Sequence, residues 1–100
     1  MANFTIRVVL NGNASWEHYD KLHKAMAARG FLDEISADDG TVYKLPDAEY
    51  VCTKTMTAER VRESAKAAAD SVWTNNTIFV TEAVRWVWTN LSVVRPARRA

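Results

Sequence analysis

"SADDGTVYKLPDAEY", residues 36–50, decides how this chain folds. Asp38-Asp39-Gly40 signals a tight hairpin, because the central positions of a type I′ turn want positive φ and glycine adopts it without a Cβ clash. "FLDEISA", 31–37, arrives as a strand with Phe31, Asp33 and Ile35 on one side, and "TVYKL", 41–45, pairs back against it. Pro46 has no N–H to give a ladder, so it ends or offsets that return strand. "AEYVCT", 48–53, resumes the alternation with Tyr50 and Cys52 on one face. The stretch is therefore a hairpin tip followed by an interrupted return strand. The adjacent acids could also suggest a metal site. Nuclease metal sites need carboxylates that converge, commonly from different strands. Side chains of neighbouring turn residues diverge, and Asp47 and Glu49 lie past the return strand. Asp38 and Asp39 are read as turn residues, and no metal or other cofactor is assigned.

Outward from the hairpin, the flanks show two different periods. "FTIRVVL", 4–10, places Phe4, Ile6, Val8 and Leu10 on one face and Thr5, Arg7 and Val9 on the other, a strand with one buried side. Asn11-Gly12-Asn13 ends it. "SWEHYDKLHKAMAARG", 15–30, is a helix: Ser15 can cap it, and Glu17 and Arg29 suit its two ends. Gly30 is a left-handed stop. Trp16, Tyr19, Leu22 and Met26 form its apolar stripe. "TAERVRESAKAAADSVW", 57–73, is a second helix with a narrow, small-residue face of Val61, Ala65, Ala68 and Val72. Small residues there allow close approach to a sheet. "TIFVTEAVRWVW", 77–88, is β-branched and aromatic and reads as a long or bent strand, with Val84, Trp86 and Trp88 on one parity.

The order strand, helix, strand, strand, helix, strand is the split βαβ pattern of a ferredoxin-like α+β fold. Right-handed crossovers put both helices on one face of a four-stranded antiparallel sheet. The other face, with Thr5, Arg7, Val9 and Phe79, is left open to a second copy of the chain or to a nucleic acid. One domain is expected over 1–94, with a flexible basic tail at 95–100.

The chain has 100 residues, 48% hydrophobic and 25% charged, with 13 basic and 12 acidic side chains. That suits one small globular core, without the strong net charge that announces a nucleic-acid partner. A lone cysteine, Cys52, excludes an internal disulfide and a cysteine-based zinc site, and reads as a buried thiol. Arg7 and Asn11 interrupt the first apolar run, so neither a signal peptide nor a membrane span is expected, and the cytoplasm is the default compartment. Glycine-rich phosphate loops and nucleophile-elbow motifs do not occur in the sequence.

The titratable residues are few. His18 and His23 lie five apart, which turns them about 140° from each other on a helix, too far for one shared metal. His18 falls on the polar side. His23 borders the apolar stripe, either as a boundary histidine or as a general base or phosphate donor. Arg7 in mid-strand, Lys44 beside Tyr43, and Arg85 beside Trp86 and Trp88 mix cations with aromatics, as single-stranded RNA sites do. The same residues would equally decorate a solvated sheet whose tryptophans sit in a core or a dimer interface.

"NFTIRVVL", "YDKLHKAMAARGF", "SADDGTVYKLPDAEY" and "TIFVTEAVRWVW" together resemble the GhoS-like antitoxins of type V toxin–antitoxin systems. The frame "ARGF…DDGTVYKLP…EY" is the most specific part. The resemblance implies a ferredoxin-like fold akin to the small nucleases of CRISPR systems. It also implies an endoribonuclease that acts on the mRNA of a membrane toxin. The family's first helix carries a functional arginine near its middle. The matching "YDKLHKAM" offers Lys21, His23 and Lys24, and His23 is the match taken. The related CRISPR nucleases bind metal through an aspartate just after the first strand. Asn11-Gly12-Asn13 has no carboxylate, so that route does not carry over. The expectation is an RNA-binding chain using Arg7, Lys21, Lys24, Tyr43, Lys44 and Arg85. Any cleavage would use His23 as base with Arg7 or Lys44 steadying the phosphate. The alternative is a non-catalytic interaction module that pairs through its open sheet face.

Overall fold

A computed structural model describes residues 1–97. Its elements run β1 (Ala2–Leu10), α1 (Trp16–Ala27), β2 (Glu34–Ser36), β3 (Val42–Lys44), β4 (Glu49–Lys54), α2 (Ala58–Asp70), β5 (Asn76–Ala83) and β6 (Val93–Arg95). The fold is α+β, as the periodicities require.

β1 is the centre of the larger sheet. It pairs antiparallel with β4 from Ala2↔Lys54 to Arg7↔Glu49, and with β5 from Asn3↔Ala83 to Leu10↔Asn76. Its alternation buries Phe4, Ile6, Val8 and Leu10 on one face. These four share one cluster with Leu22 and Met26 of α1, Val61, Ala65, Ala68 and Ala69 of α2, and Tyr50 and Cys52 of β4. Both helices therefore cover the same sheet face. Each large apolar side chain removed from water there contributes roughly 1.5–3 kcal/mol. The alanines of α2 let that helix sit against β1 and β5. Its first turn is capped by Thr57, whose hydroxyl accepts from the Arg60 N–H at 3.2 Å.

The expected single four-stranded sheet is not formed. There are two three-stranded sheets, ordered β4-β1-β5 and β2-β3-β6. They touch through one isolated bridge, in which Leu32 and Val51 exchange backbone hydrogen bonds of 3.0 and 2.8 Å. Two features stop the ladder there. One step further, the register would set Glu34 opposite Glu49, and like charges in that position repel. In addition, the Glu49 N–H is already used by Pro46 O at 3.2 Å, in a turn where Ala48 takes φ +67°. The return strand is thus not merely interrupted at Pro46; its two halves belong to different sheets.

The hairpin tip also differs from a type I′ turn. Asp38 and Asp39 keep negative φ, and only Gly40 is left-handed, at +92°. The Gly40 N–H reaches Ala37 O at 2.9 Å, and the Ala37 N–H reaches Thr41 O at 2.8 Å, which makes a three-residue loop. Asp39 serves that loop: its Oδ1 accepts from the Thr41 N–H at 2.8 Å.

β5 ends at Ala83 rather than running to Trp88. Its last partner is Asn3, one residue from the start of β1, so a longer strand would have nothing to pair with. Residues 84–92 instead cross the reverse face of the larger sheet. The Trp86 indole N–H donates to Thr5 Oγ1 at 2.8 Å, and Trp88 meets Tyr43 edge to face at 5.6 Å. The Lys44 N–H then bonds Ser92 O at 2.9 Å, and β6 pairs with β3. The reverse face is therefore covered in part by the chain itself. A domain boundary at 94 would fall inside β6, where Arg95 lies 3.7 Å from Glu34. The tail arginines Arg98 and Arg99 lie outside the described residues. No helix among the described residues is long and apolar enough to cross a membrane.

Candidate active site

β4 pairs with β1 only as far as Arg7↔Glu49, followed by a Val8 N–H bond to Ala48 O at 2.9 Å. Beyond that point the edge of β1 would be bare. Tyr19 fills the gap: its hydroxyl accepts from the Leu10 N–H at 3.0 Å and donates to Leu10 O at 3.4 Å. This holds α1 across the end of the sheet. Residues from the helix side and from the reverse face then meet in one cleft of 480 Å³, lined by Arg7, Val9, Trp16, Tyr19, Asp20, His23, Asp47 and Ala48.

His23 stands one helical turn after Tyr19 and is half-buried. Its Nδ1 lies 2.6 Å from the Tyr50 hydroxyl and 3.9 Å from Asp33 Oδ2. Asp33 Oδ2 is also 3.4 Å from Lys44 Nζ, which donates to Leu45 O at 3.2 Å as well. Tyr50 is buried, and its acidity is suppressed, first by burial and then by the nearby Asp33 carboxylate. It is a neutral phenol at neutral pH. The contact with His23 can be made in two ways. If the phenol donates to Nδ1, neutral His23 carries its proton on Nε2 and is a donor. If Nδ1–H donates to the phenol oxygen, Nε2 is a free base. Asp33 favours the second form, since a carboxylate beside Nδ1 attracts a proton there.

The three residues expected to carry chemistry come together in part. Arg7 and His23 line the same cleft. Lys44 does not line it and reaches His23 only through Asp33. Arg7 also pairs with Glu49 at 3.3 Å; both are partly solvated, so the pair is worth little, about 0–1 kcal/mol. The guanidinium has further N–H groups to offer a ligand.

The expected RNA-binding set is divided. Lys21 and Lys24 are exposed on α1, with Lys24 3.8 Å from Asp20. Tyr43 is taken up by Trp88. Arg85 lines a different groove of 770 Å³ between the two sheets, with Trp86 and Trp88. Those tryptophans, both partly buried, also fasten the crossing segment through Thr5 and Tyr43.

Several residues of the site were not singled out by the sequence. Trp16, placed on the buried stripe, is 76% exposed in the cleft wall, and only Leu22 and Met26 of that stripe are buried. Its position at the first helical residue was a usable signal, since a helix start sits at the rim of a core. Asp33 shares a strand parity with Phe31 and Ile35, and an acid in such company asks for a partner. His18 is half-buried rather than on a polar side. Its Nδ1 accepts from the Ser15 N–H at 3.1 Å, and its ring meets Trp73 at 4.6 Å. No family model, curated protein or solved structure matches this chain.

Proposed function

We propose that this chain is a single-stranded-RNA-binding protein that cleaves RNA by internal transesterification, in the manner of the GhoS-like antitoxins it resembles, acting on a toxin mRNA in the cytoplasm. The observation that carries this reading is His23, held by Tyr50 and Asp33 and opening on the cleft it shares with Arg7. In the Nδ1–H form, Nε2 takes the proton from a ribose 2′-hydroxyl. The 2′-oxygen then attacks phosphorus, the bond to the 5′-oxygen breaks, that oxygen takes a proton from water and leaves as a hydroxyl, and a 2′,3′-cyclic phosphate forms. Arg7 steadies the charge gathering on the phosphate oxygens. Lys44 pairs with Asp33 and holds it in place beside the imidazole. A distorted ferredoxin-like fold belongs to the same reading. Across the Leu32–Val51 bridge the strands succeed one another as β2, β4, β1 and β5, with both helices on one side.

The test is decay of a labelled mixed RNA with and without EDTA. His23→Ala should slow cleavage by about 10²-fold or more. Arg7→Ala should slow it and weaken binding. Lys44→Ala should have the smaller effect of a residue acting at one remove. Full cleavage by all three variants would remove the mechanism.

A second reading has its own support. Phe79 is 67% exposed, and in the ladder it lies directly opposite Arg7 on the uncovered part of the reverse face. A second copy of the chain seated there would make a non-catalytic dimer. Solution mass, with RNA mobility shifts at two salt concentrations, separates the readings. RNA binding weakens steeply with salt, whereas an apolar dimer does not.

A further inference from the structure

Trp16 has no structural task that explains it. The core closes with Leu22 and Met26, while the indole, which would bury a large apolar area if it turned inward, stands in the cleft wall. Arg7 lies in the same wall, and so does Asp47, which stands exposed in the turn between β3 and β4. The other acid of the cleft, Asp20, is engaged by Lys24 at 3.8 Å; among the described residues the Asp47 carboxylate has no ion-pair partner. The cleft volume of 480 Å³ lies within the roughly 300–1,000 Å³ of small-ligand sites.

A flat aromatic, a cation and a free carboxylate around one such space fit a nucleotide, and the carboxylate discriminates among the bases. It can only accept hydrogen bonds. In a single strand the Watson–Crick edges are free to be read. Guanine offers two adjacent donors on that edge, N1–H and the N2 amino group, which match two carboxylate oxygens. Adenine and cytosine each set an acceptor nitrogen beside their single amino group, and uracil sets carbonyls on both sides of its one N–H. We propose that the cleft is a guanine subsite: Trp16 stacks on the base, Asp47 reads its edge, and Arg7 takes the neighbouring phosphate. The proposal rests on the RNA reading above and adds a sequence preference to it.

The experiment uses the full chain and four 2′-O-methyl octamers, which cannot be cleaved: oligo-U, and oligo-U with a single central G, A or C. Anisotropy at fixed salt should show the G octamer bound about tenfold tighter than the others, the discrimination typical of one bidentate base contact. Asp47→Asn should bring the G octamer down to the affinity of oligo-U. Trp16→Ala should weaken every octamer, by about tenfold for one lost stack, with an unchanged circular dichroism spectrum. If all four octamers bind equally, or if Asp47→Asn retains the preference for G, the guanine subsite is wrong while RNA binding stands. If no octamer binds at all, the RNA reading fails and the subsite fails with it.

Discussion

Tyr50 connects the core to His23. Its ring lies in the central cluster while its hydroxyl meets Nδ1 at 2.6 Å, so the imidazole is fastened directly to a core residue of β4. Tyr50→Phe keeps the ring and removes only the hydroxyl. It should cost about 1 kcal/mol of stability, the net worth of one hydrogen bond. On the proposed function, cleavage should fall as well, because His23 loses the hydroxyl that orients its ring; a tyrosine that only packs the core would leave cleavage unchanged. The same residue shapes alkaline stability. Folding raises the phenol's pKa above its ordinary value of about 10, chiefly by burial. Above that pH the unfolded chain gives up this proton and the folded chain keeps it. The folded state then holds more protons, and stability falls as pH rises. Denaturant midpoints measured between pH 8 and 11 should decline, and Tyr50→Phe should flatten the decline. Cys52 adds to it in the same direction, since burial also raises its thiol pKa. The Cys52 thiol should therefore react with a disulfide reagent at pH 8 only after denaturant is added; rapid labelling of the native chain would show that β4 opens readily.

At the scale of elements, the tight stops decide where strands and helices end. Gly30 follows α1 with φ +81°, and a Cβ there would come within 2.9 Å of Lys54 Nζ, the group that lies over the Phe31 ring at 5.3 Å. Gly40 has φ +92° but meets nothing nearer than 3.9 Å. Both alanine variants carry the left-handed backbone strain of about 1–3 kcal/mol. Only Gly30→Ala also displaces a cation from an aromatic face, so thermal melts should place Gly30→Ala below Gly40→Ala. How far such elements can be foreseen depends on their range. β1, α1 and α2 were legible because alternation and the three-to-four spacing are properties of one segment. The β2–β3 pairing was legible as well, from the Asp-Gly turn between them; their separation from β4 was not, because it depends on Glu34, Pro46 and Ala48 acting across the sheet. The parity of Val84, Trp86 and Trp88 imitates a strand, yet strand length at that edge is set by where β1 begins, eighty residues earlier in the chain. His23 could be placed at the border of its helix by angle alone. Its dependence on Tyr50 and Asp33 could not, since those contacts exist only once β4 and the α1–β2 connection lie beside α1.

At the scale of the whole molecule, two sheets share few fastenings. Besides the Leu32–Val51 bridge and the polar contacts running from Lys44 through Asp33 and His23 to Tyr50, the smaller sheet is tied to the larger by the crossing segment 84–92, whose anchor is the Trp86 hydrogen bond to Thr5. β6 contributes its edge to β3 only because that segment delivers it there. The larger sheet needs none of this, since β1 is flanked on both sides and both helices close over its inner face. Opening free energies should therefore differ between the two parts, as they do wherever one unit has fewer buried contacts. Trp86→Ala tests this directly. Removing a half-buried indole and its hydrogen bond should cost about 1–3 kcal/mol, and the loss should be local. Amide exchange should quicken over β2, β3, β6 and residues 84–92, while the β1 amides facing β5 keep their protection. The lifted segment would also uncover Thr5 and Val51, extending the exposed face that already holds Phe79 and Arg7. A rise in solution mass at high protein concentration should then accompany the faster exchange. Uniform loss of protection across both sheets would show instead that they unfold as one unit, with Trp86 belonging to a common core.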